Sequence, residues 1–510
     1  MDNFYKIGFA GTDARTLLSA LVVSTAKSHG ANDQFRGVVI RGTSSMPAFA
    51  GPEYMNWPVD FIPTVDNSCQ SYAQSIIQAL EHHKLDYVLP LPEALLFEGI
   101  VDQLSNVGYQ SHIIGLSQEG TFIEADKIKC KHLCQEAGIP VADAWSVVDA
   151  KSSTEVFQTC LDYLHTFGGA VLKYPYSAGG KGARIIGNTW EIKDVYDTLM
   201  QDYKKTYKHI FHHREWPLLI ESRMSGVEIS FTIFVDSKGN YQILPTSMDY
   251  PERYAGPAST KNPVTGGMGC ISPHPFESPE LFQLVERDVA KPIIQEMKRL
   301  NILRPCVLYP GCFVSFELNE SHQLTPRAIR ISEINIRPGE PEFQAVIRRT
   351  ANLGALVKAM CTGELDQVSP EIRQDQLALC IALVTGPGGP DGQKGYPWSV
   401  TKYEPVAMDC NYLQKKNIQM IPSGMGYSAD KGFFSDGTRV AYLNTNGTVH
   451  PQQARGEVAK RLRNKLINAY QSNKIRVIPR EDPEGNRLAI REDIGLHYLV
   501  AEALQDMSHN

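Results

Sequence analysis

The chain has 510 residues, 42% hydrophobic and 21% charged, which is too long for a single hydrophobic core and predicts about three domains. Its 50 Lys and Arg against 56 Asp and Glu give a formal charge of -6 with no block of basic residues, so nothing supports a nucleic-acid or membrane partner and a small-molecule site is favoured. Ten cysteines run from Cys69 to Cys410 without a CxxC pair or zinc spacing, no apolar run reaches eighteen residues, and MDNFYKIGFAG lacks a leader pattern; free thiols, no bilayer span and a cytoplasmic location are expected.

Over residues 1–118 short apolar runs alternate with helical patterns. YKIGFAG, RGVVIRG, LDYVLPLP and SHIIGLS read as buried parallel strands, and ARTLLSALVVSTAKSHG and CQSYAQSIIQALEHHK as the helices between them. GFAGTDAR lies between a strand and a helix, where backbone N–H groups could face an anion; its spacing is not GxGxxG, and a plain strand-to-helix turn is the favoured reading. Residues 119–195 bring a helix, EADKIKCKHLCQEAG, closed by Gly138 and Pro140, then the strand GGAVLKYPY and a glycine-rich loop, a candidate lid. Residues 196–368 hold the strand-rich segments WPLLIESRM, EISFTIFVD, YQILPTS, PGCFVSFELN and RAIRISEINIR with one amphipathic helix, LFQLVERDVAKPIIQEMKRL. Residues 369–510 open on QLALCIALVTGPGGP and end in the helix QQARGEVAKRLRNKLINAYQSN and a charged tail.

Three stretches carry chemistry. SAGGKGARI follows the strand bearing Lys173 and contains Gly179, Gly180, Lys181 and Gly182; glycines let backbone fold closely over polyphosphate and lysines supply charge, although this is not a Walker A loop and a hairpin with a solvated lysine is the plainer alternative. In SEINIRPGEPEFQ, Glu333, Asn335 and Arg337 alternate with Ile334 and Ile336, so in a strand the polar three share one face. Two oxygen donors at that spacing suit Mg²⁺, and an arginine beyond them could hold a carboxylate; a solvated edge strand is the alternative. NPVTGGMGCISPHP, residues 262–275, is by composition alone a cluster of turns.

These stretches together resemble the ATP-grasp ligases. The segments LPEALLFEGIVD, EADKIKCKHLCQEAGIP, VLKYPYSAGGKGA, IESRMSGVEISF, LPTSMDY, TGGMGCISP, EINIRPGEPEFQ and REDIG, in this order over residues 5 to 500, resemble the glycinamide ribonucleotide synthetase (phosphoribosylamine–glycine ligase) family. The resemblance implies an α/β chain: a parallel α/β pre-ATP-grasp domain, a lid, an ATP-grasp nucleotide domain and a C-terminal mixed α/β domain. It implies a carboxylate–amine ligase that uses ATP and Mg²⁺ or Mn²⁺ to join glycine to 5-phosphoribosylamine through an acyl phosphate, as a monomer or small homo-oligomer.

By the same resemblance Lys127 and Lys173 contact ATP phosphates beneath the Gly179–Gly182 loop, Glu221 lies at the adenine hinge, and Glu228 accepts the ribose hydroxyls. Glu333 and Asn335 bind metal, with Glu317 a further candidate. Asp249 receives the amino acid's ammonium and Arg337 its carboxylate, with Lys173 the third catalytic candidate. Thr265, Gly266, Gly267, Met268 and Gly269 close over the substrate, and Gly8, Gly11, Arg15, Glu93 and Glu340 complete the substrate side. The chain departs from the family there: GNGGREHAL is GFAGTDART, with Thr12 and Ala14 in place of Arg and His and Arg15 as a possible replacement, and RFGDPE is RPGEPE. A relative that joins another amino acid to another amine, and a non-catalytic nucleotide-binding protein, remain open.

Overall fold

The computed structural model describes residues 4–25, 34–42, 46–47, 54, 57–176, 182–206, 216–259, 261–320, 323–387, 395–400, 402–437 and 439–508. The N-terminal unit is a four-stranded parallel sheet in the order Asp60–Thr64, Gln34–Gly42, Phe4–Ala10, Tyr87–Pro90, with helices Ala14–Thr25 and Cys69–His82. Strand Asp60–Thr64, DFIPT, takes a place that the sequence reading left empty. SHIIGLS instead contributes only a parallel bridge from Ile113 to Val88.

The lid is an antiparallel sheet in the order Trp145–Asp149, Pro217–Ser222, Ala170–Lys173, Ala183–Ile186, with helices Ser153–Phe167 and Glu191–Thr206. Strand Pro217–Ser222 sits inside this sheet, so the lid extends past the expected boundary at residue 195 to Ser222. Its core is separate and small, built around Leu172, Ile186, Leu199 and Ile220.

The central sheet runs Val227–Ser230, Cys306–Leu318, Ile233–Val235, Tyr241–Ile243, with Leu324–Asn335 paired antiparallel to the long strand Cys306–Leu318. The expected long helix is interrupted: Pro279–Val285 leads through a π-helical turn, Glu286–Ala290, into Lys291–Arg299. Pro292 lacks the N–H that an α-turn would need, and the wider turn absorbs the missing bond.

The C-terminal sheet, Met248–Asp249, Gly269–Ser272, Gln376–Thr385, Arg439–Thr448 and Gln419–Pro422, takes its first two strands from the middle of the chain. TGGMG is therefore the seam between nucleotide and C-terminal domains. One apolar core joins helix Ala14–Thr25 to this sheet and to helices Glu342–Arg349 and Leu353–Thr362. A second joins helix Cys69–His82 to the central sheet. Among the described residues no disulfide is formed, and no helix is long and apolar enough to cross a membrane.

Candidate active site

The alternation in SEINI holds, with one irregularity that helps the site. Gly311 pairs with Glu333 but Cys312 with Ile331, so Ser332 is an extra residue in its strand. The bulge turns two successive carbonyls toward neighbouring ammonium groups: Lys131 Nζ donates to Ile331 O at 3.3 Å and Lys173 Nζ to Ser332 O at 3.2 Å. Ile334 and Ile336 are buried, while the Glu333 side chain stays 30% exposed.

Four charged side chains assemble on this strand from three other elements. Asp126 caps helix Lys127–Glu136 by accepting from Ile128 and Lys129 N–H at 3.1 Å, which sets Lys127 at the first helical position and Lys131 one turn later. Lys173 ends the lid strand Ala170–Lys173 beside Glu221 on Pro217–Ser222. Glu221 is fully buried and pairs with both lysines, at 2.5 Å with Lys131 and in direct contact with Lys173. Burial alone would raise its carboxyl, and the two ammonium groups hold it below the ordinary value. The Lys127 ammonium lies 3.9 Å from Glu333; burial pulls Lys127 down, opposed by Glu333 and reinforced by Lys173. Burial likewise pushes Glu333 up, but Lys127, Lys173 and Arg337 keep it ionised, below its ordinary value.

Beyond this cluster lies a carboxylate pair. Asp249 sits on its two-residue strand opposite Cys270, facing Glu342 at the start of helix Glu342–Arg349. Burial, then Glu342 and Glu228, push the Asp249 carboxyl well above its ordinary value, and Glu342 Oε2 is buried with no hydrogen-bond partner. Two buried carboxylates facing each other repel, which favours a proton or a cation between them. The space is small. A Cβ on Gly339 would lie 2.7 Å from Glu342 Oε2, and one on Gly267 would lie 2.4 Å from Pro341 Cδ and 3.2 Å from Asp249 Oδ1. Gly267 also has φ of +95°, which a side chain tolerates poorly. Glu228 opens onto the same cleft; the protein packed around it, with Glu252, Glu333 and Glu342, raises its carboxyl to about 7.

Residues 125–343 match the model of the phosphoribosylglycinamide synthetase ATP-grasp (A) domain. This stretch is therefore a phosphoribosylglycinamide synthetase-type ATP-grasp domain. The chain is 28% identical over 322 residues to a phosphoribosylamine–glycine ligase of Caldanaerobacter subterraneus, covering 63% of this chain and 68% of the relative. It is 27% identical over 394 residues to the bifunctional purine biosynthetic protein ADE5,7 of Saccharomyces cerevisiae, covering 76% of this chain and 44% of that longer protein. In fold it is similar to the phosphoribosylamine–glycine ligase of Thermotoga maritima, with a TM-score of 0.64 at 18% identity, covering 96% of this chain and all of that one. It is also similar to the biotin carboxylase domain of Hydrogenobacter thermophilus 2-oxoglutarate carboxylase solved with MgADP, with a TM-score of 0.58 at 15% identity, covering 91% and 90%.

Around this ATP-grasp domain Lys127, Lys173, Glu333, Asn335, Asp249 and Glu228 converge, and the surroundings of several other singled-out residues differ from expectation. Glu221, expected at the adenine hinge, has both oxygens on lysines and positions them. Glu317 is corrected as a metal candidate: it pairs with Arg327 at 3.5 Å, half exposed, six residues along its strand from Gly311, or roughly 20 Å from Glu333 at a strand's rise per residue. Arg337 is occupied by Glu93 and by the buried Glu124, each at 3.2 Å, rather than offering a free guanidinium. Arg15 is 4% exposed and tied to Asp13 at 2.5 Å, Glu340 at 3.0 Å and the Pro338 carbonyl, so its guanidinium is already engaged.

The glycine loops also divide. A Cβ on Gly8 would meet Leu85, Ile40 and Val88, and one on Gly11 would meet Pro92, so both glycines serve packing within the N-terminal unit. Met268 is fully buried in the core and Gly269 is laddered against Ile381, whereas Thr265 Oγ1 accepts from Gly267 N–H at 3.1 Å and the Gly266 carbonyl accepts from Arg439. Gly179, Gly180 and Lys181 lie outside the described residues, and Gly182 O accepts from Tyr174 N–H at 3.0 Å. Sequence reasoning missed Glu124, Lys131, Glu342 and Arg439. Only Glu342, inside the GEPEFQ motif, carried a local signal.

An ATP-grasp domain implies a magnesium ion, and the residues present offer oxygens for one. Glu333 and Asn335 share one strand face; Asn335 Nδ2 donates to Glu333 Oε1 at 3.4 Å, while the Asn335 amide oxygen, the hard donor a metal would take beside the Glu333 carboxylate, accepts from Arg337 at 3.4 Å. Among the described residues no cluster of three or more His, Cys, Asp or Glu could cage a metal. That suits an ion completed by phosphate oxygens and water.

Proposed function

We infer that this enzyme, an ATP-grasp ligase, joins glycine to 5-phosphoribosylamine at the expense of ATP, forming glycinamide ribonucleotide, ADP and phosphate. The observation that carries the reading is the placing of a buried carboxylate pair, Asp249 and Glu342, near the strand of Glu333 and Asn335, onto which Lys127 and Lys173 converge from a helix and a lid strand. The amino acid's ammonium binds the carboxylate pair, and the tight glycine floor at Gly267 and Gly339 limits the side chain it can carry. Its carboxylate then points toward the lysines, where the γ-phosphate of ATP is presented.

The carboxylate oxygen attacks the γ-phosphorus, the bond to the ADP oxygen breaks, and an acyl phosphate forms. The amine attacks the acyl carbon, phosphate leaves and the amine's proton passes to solvent or a carboxylate. Lys127 and Lys173 bind and orient the phosphates, and Glu221 fixes the Lys173 ammonium. A bound Mg²⁺ at Glu333 and Asn335 would neutralise charge on the phosphates. We place the reaction in the cytoplasm, where cysteines stay reduced, and its substrates are small molecules.

The engaged state of Arg15, with Thr12 and Ala14 beside it, supports one second reading: a different amine takes the place of phosphoribosylamine. Hydroxylamine trapping tests the first half-reaction. ATP, Mg²⁺ and glycine without an amine should yield glycine hydroxamate stoichiometric with ADP, and ADP release without hydroxamate would reject the acyl phosphate.

A further inference from the structure

Away from this cleft, the groove between helices Cys410–Lys415 and Arg455–Gln471 encloses a cavity of about 470 Å³. Lys460, Arg461 and Lys465 line it from one face of the longer helix, since with Glu457, Asn464 and Asn468 they recur at steps of three and four, and Lys416 faces them from the end of the shorter helix. Glu457 is the one carboxylate in the lining. Among the described residues none of the four cations makes an ion pair, and Arg461 and Lys465 stand at i and i+4, where like charges repel.

A fifth cation lies behind them. Arg348, on helix Glu342–Arg349, is held by neutral amides only, Gln419 and Asn446, and its buried Nε has no hydrogen-bond partner. Lys465 Nζ donates to Thr445 Oγ1 at 2.6 Å. Burial, then Arg348, Arg461 and Lys416, push the Lys465 ammonium down to about 8. Positive charge is concentrated here with one lining carboxylate, Glu457, against it.

We propose that this groove binds a small ligand carrying two or more phosphate groups, at a site separate from the ATP cleft. Four lining cations against one carboxylate leave three net charges, more than one phosphate monoester neutralises. Asn464 and Asn468 add neutral donors on the same face, and the volume lies within the roughly 300–1,000 Å³ of small-molecule sites. Nucleic acid would need a basic stripe running on past the groove, whereas Arg463, the next basic residue on the helix, is tied to the Glu492 carbonyl and is not part of the lining.

The test is calorimetric titration of the full chain, its ATP cleft filled with MgADP, using fructose 1,6-bisphosphate as probe and fructose 6-phosphate as the monophosphate control. Wild type should bind the bisphosphate at least about tenfold more tightly than the monophosphate. The Arg461→Gln, Lys465→Gln double variant should lose at least about tenfold in bisphosphate affinity with ADP affinity unchanged. Gln is a good helix former on this exposed face, and the Lys416→Gln, Lys460→Gln pair repeats the experiment if the first variant misfolds. No binding up to about 10 mM, equal affinity in wild type and variant, or equal affinity for the two sugars overturns the proposal. Binding of a short RNA that is lost in the same variant, with the bisphosphate silent, overturns it in favour of nucleic acid.

Discussion

Replacing Glu221 with Gln keeps the shape of the residue and removes the charge that holds Lys131 and Lys173. Both ammonium groups are nearly inaccessible to solvent, and each would retain one backbone carbonyl, Ile331 O or Ser332 O, as its partner. Breaking a buried ion pair by removing one member costs about 3–5 kcal/mol, because the remaining charge is left uncompensated. The cost should have a pH window. Glu221 is held below its ordinary value, so its contribution is present above the unfolded value near 4.5 and is lost as pH falls through the folded one. Burial opposes the Lys173 charge but Glu221 raises it overall, so that contribution is present below 10.5 and is lost as pH rises through the folded value. Urea unfolding of wild type and Glu221→Gln between pH 4 and 11 should therefore show the largest difference across a plateau in between, narrowing at both ends. ATP affinity should fall in the same variant, since Lys173 loses its anchor. A difference below about 1 kcal/mol that does not vary with pH would refute the clamp.

Glu333→Gln and Asn335→Ala should each lower turnover by about two orders of magnitude or more while the unfolding midpoint stays near wild type, and near-normal turnover at low Mg²⁺ would remove them as ligands. Asp249→Asn and Glu342→Gln should each raise the KM for the amino acid by roughly 10- to 100-fold, from the loss of about 1.5–3 kcal/mol of charge-assisted hydrogen bonding, with the KM for ATP little changed; equal effects on both substrates would reject the ammonium site. Burial and Asp13 raise the Glu340 carboxyl to about 7, so the folded state keeps a proton there that the unfolded chain releases from about 4.5. Stability should thus fall as pH rises from 4.5 to 7, by up to about 3 kcal/mol, and Glu340→Gln should flatten that slope when unfolding is compared at pH 5 and 8.

Period-two alternation made Glu333, Asn335 and the two isoleucines legible in the sequence, because a strand's geometry is local. The Glu221 clamp was not, since its lysines lie 90 and 48 positions away and meet it only when the lid sheet interleaves its strands out of chain order. That same interleaving hid the true extent of the lid. Glu317 looked like a ligand because it is an acid on the right strand; only the length of that strand puts it out of reach. Arg15 looked free because nothing in GFAGTDAR discloses Glu340, brought to it from across the chain.

The account rests most directly on which pair of substrates releases ADP. A screen crossing amino acids with amines, with phosphoribosylamine generated in place, should show strong Mg²⁺-dependent release for glycine with phosphoribosylamine and little for any other pair. Silence with that pair alongside turnover with another amine would contradict the assigned reaction while leaving the phosphoryl-transfer site in place, and silence with every pair would contradict both.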